Sequence, residues 1–247
     1  MDRHRPSVRV MSTFSTTVRR KRDRQSDDAD VLHEILREGL VAHVGVIRDG
    51  VPVVLPYLCG LGDLGQGPVL LLHGSTGGGL FLDAGPEGVQ VCATVTHLDG
   101  IVFARSTHDS SANYRSAAIF GRATVVPEET RVEALWQVAD HLMPGRREEL
   151  REMRPREVAA TAVLQVPLDT ASVKVRSAGV GDSSDDGEDH SVWAGVLPLS
   201  IGAGRPQTSA VSCQAGTGTV SPSVTALAYG FQARTAAREQ RLLDLEA

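Results

Sequence analysis

The dipeptide Asp49-Gly50, set between two apolar runs, does most to limit the fold. Both residues tolerate positive φ, which the two-residue turn of a tight β-hairpin demands. Val41 to Arg48 therefore reads as a strand and Val51 to Leu58 as its antiparallel return. Pro52 and Pro56 lie inside the return strand. Each removes a ladder donor, so this strand belongs at a sheet edge or beside a ligand. Further short runs follow: Pro68 to His73, Val89 to Thr96, Ile101 to Ser106, Arg115 to Val126, Thr161 to Val166 and Ala171 to Arg176. His97-Leu98-Asp99-Gly100 reads as the turn between the second and third of these. Roughly eight short strands joined largely by hairpins predict a mainly β fold, an antiparallel barrel with helical insertions, and not a doubly wound sheet.

Two segments carry helical periodicity. Val31, Leu32, Ile35, Leu36 and Leu40 make one stripe, ending near Gly39. Val132, Leu135, Trp136, Ala139, Leu142 and Met143 make another, between Pro127 and Pro144. Arg146 to Met153 reads as a polar, exposed helical stretch. The chain thus divides into a basic arm over 1–25, a barrel domain over 26–202 and a low-complexity tail over 203–247. The arm, with Arg19, Arg20, Lys21, Arg22 and Arg24, and the acidic run over 182–189 are expected to be solvated and mobile. The tail is expected to be disordered over 204–230, with a short amphipathic helix from Thr235 to Leu245.

Composition narrows the function classes. Hydrophobic residues make up 41% of the 247, enough for a sizeable core. A net charge of -5 argues against nucleic acid as a partner. No apolar run approaches the ~20 residues of a membrane span, and the basic N-terminus lacks the apolar stretch of a signal peptide. The 3 cysteines form no CxxC pair, which suits a reducing cytoplasm. The 8 histidines form no metal-ligand set.

Three clusters can carry chemistry. After His73 the chain reads Gly74-Ser75-Thr76-Gly77-Gly78-Gly79, offering unobstructed backbone N–H groups and two hydroxyls, which suits a phosphate. A flexible surface turn is the competing reading. In Asn113-Tyr114-Arg115, the guanidinium can pair with an anion and the phenol can stack on a ring, or the segment is simply the mouth of a strand. Alternation puts Ser172, Lys174 and Arg176 on one strand face, either an anion platform or an ordinary solvated face.

Several segments, in order, carry a resemblance: Leu40-Val-Ala-His-Val-Gly45, Pro52-Val-Val-Leu-Pro56, Leu72-His-Gly-Ser-Thr-Gly77, Val91-Cys-Ala-Thr-Val-Thr96 with Asp99-Gly100, Ala104-Arg-Ser106, Asn113-Tyr-Arg-Ser116, Val173-Lys-Val-Arg176 and Val192-Trp-Ala-Gly-Val-Leu-Pro-Leu199. Together they resemble the FMN-binding split-barrel superfamily related to pyridoxamine 5′-phosphate oxidase, and within it the flavin-nucleotide-binding subgroup that contains nitroimidazole-resistance proteins. The resemblance implies a six-stranded antiparallel split β-barrel that forms a homodimer, with FMN in the groove between subunits. It implies an FMN-dependent oxidoreductase acting on a small molecule whose identity it does not give. By the same resemblance the phosphate lies on His73, Gly74, Ser75, Thr76 and Gly77, and the flavin ring on Val54, Leu55, Pro56 and Tyr57. Ser106, Tyr114, Arg115, Lys174, Arg176 and Trp193 would face the groove or its partner side. The chain departs from its relatives twice. Their loop usually reads Gly-Ser-Arg where this one has Gly77-Gly78-Gly79, and they often carry two histidines where this one has Asp109 and Ser110. The first change removes a guanidinium, so any phosphate would rest mainly on backbone N–H groups, Ser75 and Thr76. It also motivates an alternative, a non-catalytic module that binds or senses flavin or haem.

Overall fold

The structure is a computed structural model that describes residues 15–181 and 190–243. Arg3, Arg5, Arg9, the acidic run over 182–189 and the last residues of the expected tail helix lie outside them. The elements run, in chain order, β1 (Gln25–Ser26), α1 (Ala29–Glu38), β2 (Val41–Arg48), β3 (Val51–Asp63), β4 (Pro68–Ser75), α2 (Gly79–Ala84), β5 (Val89–Phe103), β6 (Ser111–Val125), α3 (Glu128–Leu142), α4 (Pro155–Ala160), β7 (Thr161–Pro167), β8 (Ala171–Arg176), β9 (Gly195–Pro198), α5 (Ala210–Gln214) and α6 (Pro222–Leu243). Every strand pairing is antiparallel. The order β6-β7-β4-β3-β2-β5, closed by a β5–β6 pairing, makes the six-stranded ring of a split barrel. β8 and β1 extend it beside β6, and β9 extends it beside β5.

The hairpin forms as its turn chemistry dictates. Asp49 and Gly50 take φ of 51° and 78°, and Arg48 faces Val51 across the ladder. Along β2, Ala42, Val44 and Val46 enter the core while Val41, His43 and Ile47 face outward. β3 runs five residues beyond Leu58, and only that extension, Cys59 to Asp63, pairs with β4. Pro52 and Pro56 therefore sit where β3 has β2 as its sole neighbour, as their missing donors require.

Two cores result. Inside the ring, Leu70, Leu72, Ala93, Val95, Ile119 and Leu164 are fully buried, and α1 plugs one end with Ile35 and Leu36. Outside β4 and β7, α3 packs Ala134, Leu135 and Val138 over Leu71 and Val163.

Three expectations fail. His97-Leu98-Asp99-Gly100 is not a turn: β5 is one continuous strand, bulged between Leu98 and Gly100. Asp99 is buried against Arg115 of β6 instead of exposed in a loop. Residues 146–153 form only a 3₁₀ turn, Arg146–Glu149. Third, helix α6 begins at Pro222, inside the stretch read as disordered. Glu149 fixes its first turn, accepting from the Ser223 N–H at 2.9 Å and the Ser223 hydroxyl at 2.8 Å. Those bonds hold the Glu149 carboxyl down to about 2. Farther along α6, Arg238 reaches Glu38 at 2.5 Å and Asp99 at 3.1 Å. Polar contacts formed across the fold thus hold both ends of this helix.

His141 joins α3 to both other layers. Its Nε2 lies 2.8 Å from the Gly39 carbonyl, and its Nδ1 accepts from the Leu61 N–H at 3.4 Å. That pattern requires a neutral ring, and burial holds its pKa below the ordinary 6.5. The unfolded chain thus binds the proton more tightly, so folding stability falls as pH drops below about 6.5 and through the lower folded value. Melting temperature is expected to fall between pH 7 and pH 5. In His141→Gln the fall is expected to be shallower, with a loss of about 1 kcal/mol at neutral pH. Thermal melts across that range measure both.

Candidate functional site

The glycine-rich loop lies at the end of β4 and leads into α2. Its glycines have separate causes. A Cβ on Gly74 would lie 2.2 Å from the Phe81 ring, and one on Gly78 would lie 3.2 Å from it. Phe81, Leu80 and Ala84 bury one face of α2. Much of the loop's backbone is already engaged. The Thr76 N–H donates to the Ala160 carbonyl at 3.3 Å, Gly77 to the Ser75 hydroxyl at 3.3 Å, and Gly78 to the Ser75 carbonyl at 2.9 Å. The expected cradle of free N–H groups over Thr76 to Gly78 is therefore not what the chain builds.

A guanidinium stands there instead. Arg48, at the end of β2, reaches over the loop, and a Cβ on Gly79 would lie 2.7 Å from its Nη2. A side chain at 79 would have to push this guanidinium aside. Asp83 of α2 orients Arg48, accepting from Nε at 2.9 Å and Nη2 at 2.6 Å, and raises its pKa. Two of the five guanidinium N–H groups are used by Asp83, which leaves three for an anion. Tyr57 meets Phe81 edge-on at 5.8 Å on the same side of β3, and burial raises its phenol pKa while Arg48 opposes the rise. His73, half-buried on β4, has its pKa lowered by burial.

The four residues expected on the ring side divide by alternation. Tyr57 packs toward the core and α2, whereas Val54 is 62% exposed on the outer face, across from Gly45. Pro56 shares that face, across from His43, and Leu55 sits on the Tyr57 side.

The remaining expected residues lie elsewhere on the chain. Arg115 is 9% exposed and engaged: Nε and Nη2 grip Asp99 at 2.9 and 3.1 Å, and Nη2 also reaches Glu38 at 2.8 Å. Burial opposes its charge, and Asp99 and Glu38 more than offset this, so its pKa is raised. It is a structural ion pair here, not a free anion ligand. Arg176 donates to Asn113 Oδ1 and the Ala178 carbonyl, fixing the chain after β8. Tyr114 pairs with Arg176 in the β6–β8 ladder, and Lys174 with Ser116. Ser106 closes a small turn, donating to Asp109 at 2.6 Å. Trp193 is 67% exposed and tilts against Phe103 at 5.9 Å.

Two cavities open on the outer face of β2 and β5. One, about 730 Å³, is lined by Gly45, Ile47, Pro52, Val54, Cys92 and Arg122, among others. The second, about 650 Å³, lies between this sheet and α6 and is bordered by Val41, His43, Leu98, Ile201, Phe231 and Arg234. Sequence reasoning missed Arg48, His43 and all of α6 as site-forming. Only His43 left a signal, since its alternation with Ala42 and Val44 marks it as outward-facing.

Residues 28–175 match the profile of the family described as pyridoxamine 5′-phosphate oxidase. The FAD and haem binding protein of Mycobacterium smegmatis is 37% identical, with a TM-score of 0.73, covering 83% of this chain and 97% of its own. The flavocytochrome Anf3 of Azotobacter vinelandii is 34% identical, with a TM-score of 0.71, covering 79% and 88%. A 5-nitroimidazole antibiotic resistance protein of Bacteroides thetaiotaomicron shares the fold, at 22% identity and a TM-score of 0.51, covering 61% and 86%. No curated protein matches the chain at a significant level.

Proposed function

The chain belongs to the pyridoxamine 5′-phosphate oxidase family, and on that premise we propose that it is a flavin-binding oxidoreductase acting on a small molecule. The observation that carries the reading is Arg48 beside Gly79. The loop lacks its own arginine, but an oriented guanidinium with three free N–H groups occupies the same space. A flavin phosphate needs such a donor, and FMN and FAD share that ribityl phosphate. FMN follows from the family resemblance, and FAD is bound by the M. smegmatis relative. The flavin supplies the redox chemistry, while the protein holds and orients it. Tyr57 and the apolar face of β3 offer the ring a dry surface.

The outer face also supports a homodimer. Ile47, Val54 and Leu58 are 67%, 62% and 46% exposed there, and a second copy would cover them. Among the described residues no helix is long and apolar enough to cross a membrane. We place the protein in the cytoplasm, with no nucleic-acid partner.

An absorbance spectrum of the purified protein, before and after anaerobic NADPH, tests the reading. A flavin band that bleaches is expected. Protein that stays colourless with added FMN and FAD overturns it. Arg48→Ala is expected to weaken FMN binding about tenfold or more, because a charge-assisted hydrogen bond contributes roughly 1.5–3 kcal/mol. Riboflavin, which has no phosphate, should bind the variant and the parent alike. Fluorescence titration with both ligands measures this.

A second reading adds haem as a further cofactor. It is favoured by the extent of the likeness to the M. smegmatis FAD and haem binding protein: a match over 83% of this chain runs beyond residue 175, where the family profile ends.

A further inference from the structure

We infer that the cavity between the β2–β5 face and α6 is a haem site, in which His43 would supply a nitrogen ligand to the iron; this rests on the haem reading above. The cavity's volume, about 650 Å³, falls within the range of cofactor pockets. Apolar side chains stand on both walls, Val41 and Leu98 from the sheet, Ile201 from the segment after β9 and Phe231 from α6, among polar ones that include Glu38, Thr96 and Thr235. A flat macrocycle needs two such walls. It also needs a nitrogen donor at its centre and cations at the edge that carries its carboxylates. His43 projects from the sheet wall, and among the described residues its imidazole has no hydrogen-bond partner, so both ring nitrogens remain available. Arg234 sits at the α6 edge over the Phe231 ring, 4.6 Å from its centroid, and no carboxylate among the described residues pairs with it. Arg238 borders the same cavity but is held by Glu38 and Asp99.

His97 also borders the cavity and is the weaker donor. Its Nε2 lies 2.9 Å from the Ile35 carbonyl, and alternation along β5 turns its ring toward α1. The site depends on the extension beyond residue 175, because Ile201, Phe231 and Arg234 all belong to it. A purine would suit the apolar walls too, but it would give the free imidazole no role.

Titration of the purified full chain with hemin, read at the Soret band, tests the site. The parent is expected to bind one equivalent per chain with a sharp Soret band. His43→Ala should bind at least tenfold more weakly and with an altered band, and added imidazole should restore the parent spectrum. Val41→Trp, which fills the cavity and keeps the imidazole, should also lose haem. Flavin content in both variants should match the parent. If the parent shows no one-to-one Soret band, the haem reading fails and the site with it. If the parent binds haem and His43→Ala binds it unchanged, the reading stands and this placement is overturned. Loss of FAD instead of haem from the variants would assign the cavity to the flavin and likewise overturn it.

Discussion

Arg115→Met is expected to destabilise the protein by about 3–5 kcal/mol, the usual cost of breaking a buried ion pair from one side. For a chain of this size that lowers the melting temperature by roughly 6–20 °C. The side chain of Arg115 is 11% exposed, and that of Asp99 beside it is 9% exposed. Methionine matches the volume but, among the described residues, leaves Asp99 with only Arg238 Nε at 3.1 Å, and leaves Glu38 with Arg238 alone. Three elements, α1, β5 and β6, meet at this one guanidinium. The penalty should shrink in acid. Burial alone would raise the Glu38 pKa, but Arg115 and Arg238 hold it below 4.5 in the folded chain. That stabilisation is complete above 4.5 and is lost as pH falls through the lower folded value. The gap between parent and variant should therefore narrow below about pH 4.5. Adding Asp99→Asn to Arg115→Met should recover part of the loss, because it removes the stranded charge. Urea unfolding of the parent, single and double variants at pH 7 and pH 4 decides it; equal penalties at both pH values would refute the account.

Arg115 also shows where sequence reading stops. Most strands were readable because alternation and turn chemistry act locally. Asp49-Gly50 and Asp99-Gly100 carry the same turn signal, and only the first makes a turn. The difference lies in Arg115, sixteen residues after Asp99, whose guanidinium draws the aspartate into the core. No window centred on 99 contains that information. The first half of helix α6, before Thr235, was missed for the same reason: Ser223 finds Glu149 across 74 residues of chain. At the site, the glycine-rich loop was visible, and so was the missing arginine at 79. The approach of Arg48 to Gly79 was not, because the two positions meet only once the β2 hairpin folds over α2. The glycine run likewise hid a helix start, since Leu80 and Phe81 are what bury α2.

Phe81→Ala should have an effect of similar size, and it reaches the glycine-rich loop without altering Arg48 or Asp83. Phe81 is 6% exposed, and its ring fills the space that Gly74 leaves open, 2.2 Å from where a Cβ would stand. Losing a buried phenylalanine ring costs about 3–5 kcal/mol. Gly74→Ala alone forces the ring aside at about 1–3 kcal/mol. The two should not add. In the Phe81→Ala background the alanine at 74 enters vacated space, so its own cost should fall close to zero. The coupling in a double-mutant cycle should then match the single Gly74→Ala penalty, within the 0.5–3 kcal/mol found for residues in contact, on the order of 1–3 here. Flavin retention should follow α2, not the energy total. α2 carries Asp83, which orients Arg48, so Phe81→Ala should loosen the proposed phosphate donor by freeing its anchor. Phe81→Leu, which keeps most of the buried volume, should hold both stability and flavin better than Phe81→Ala. Urea midpoints give the cycle, and the flavin-to-protein absorbance ratio after gel filtration gives retention. Strict additivity of the two substitutions would mean that Gly74 is small for a reason other than Phe81.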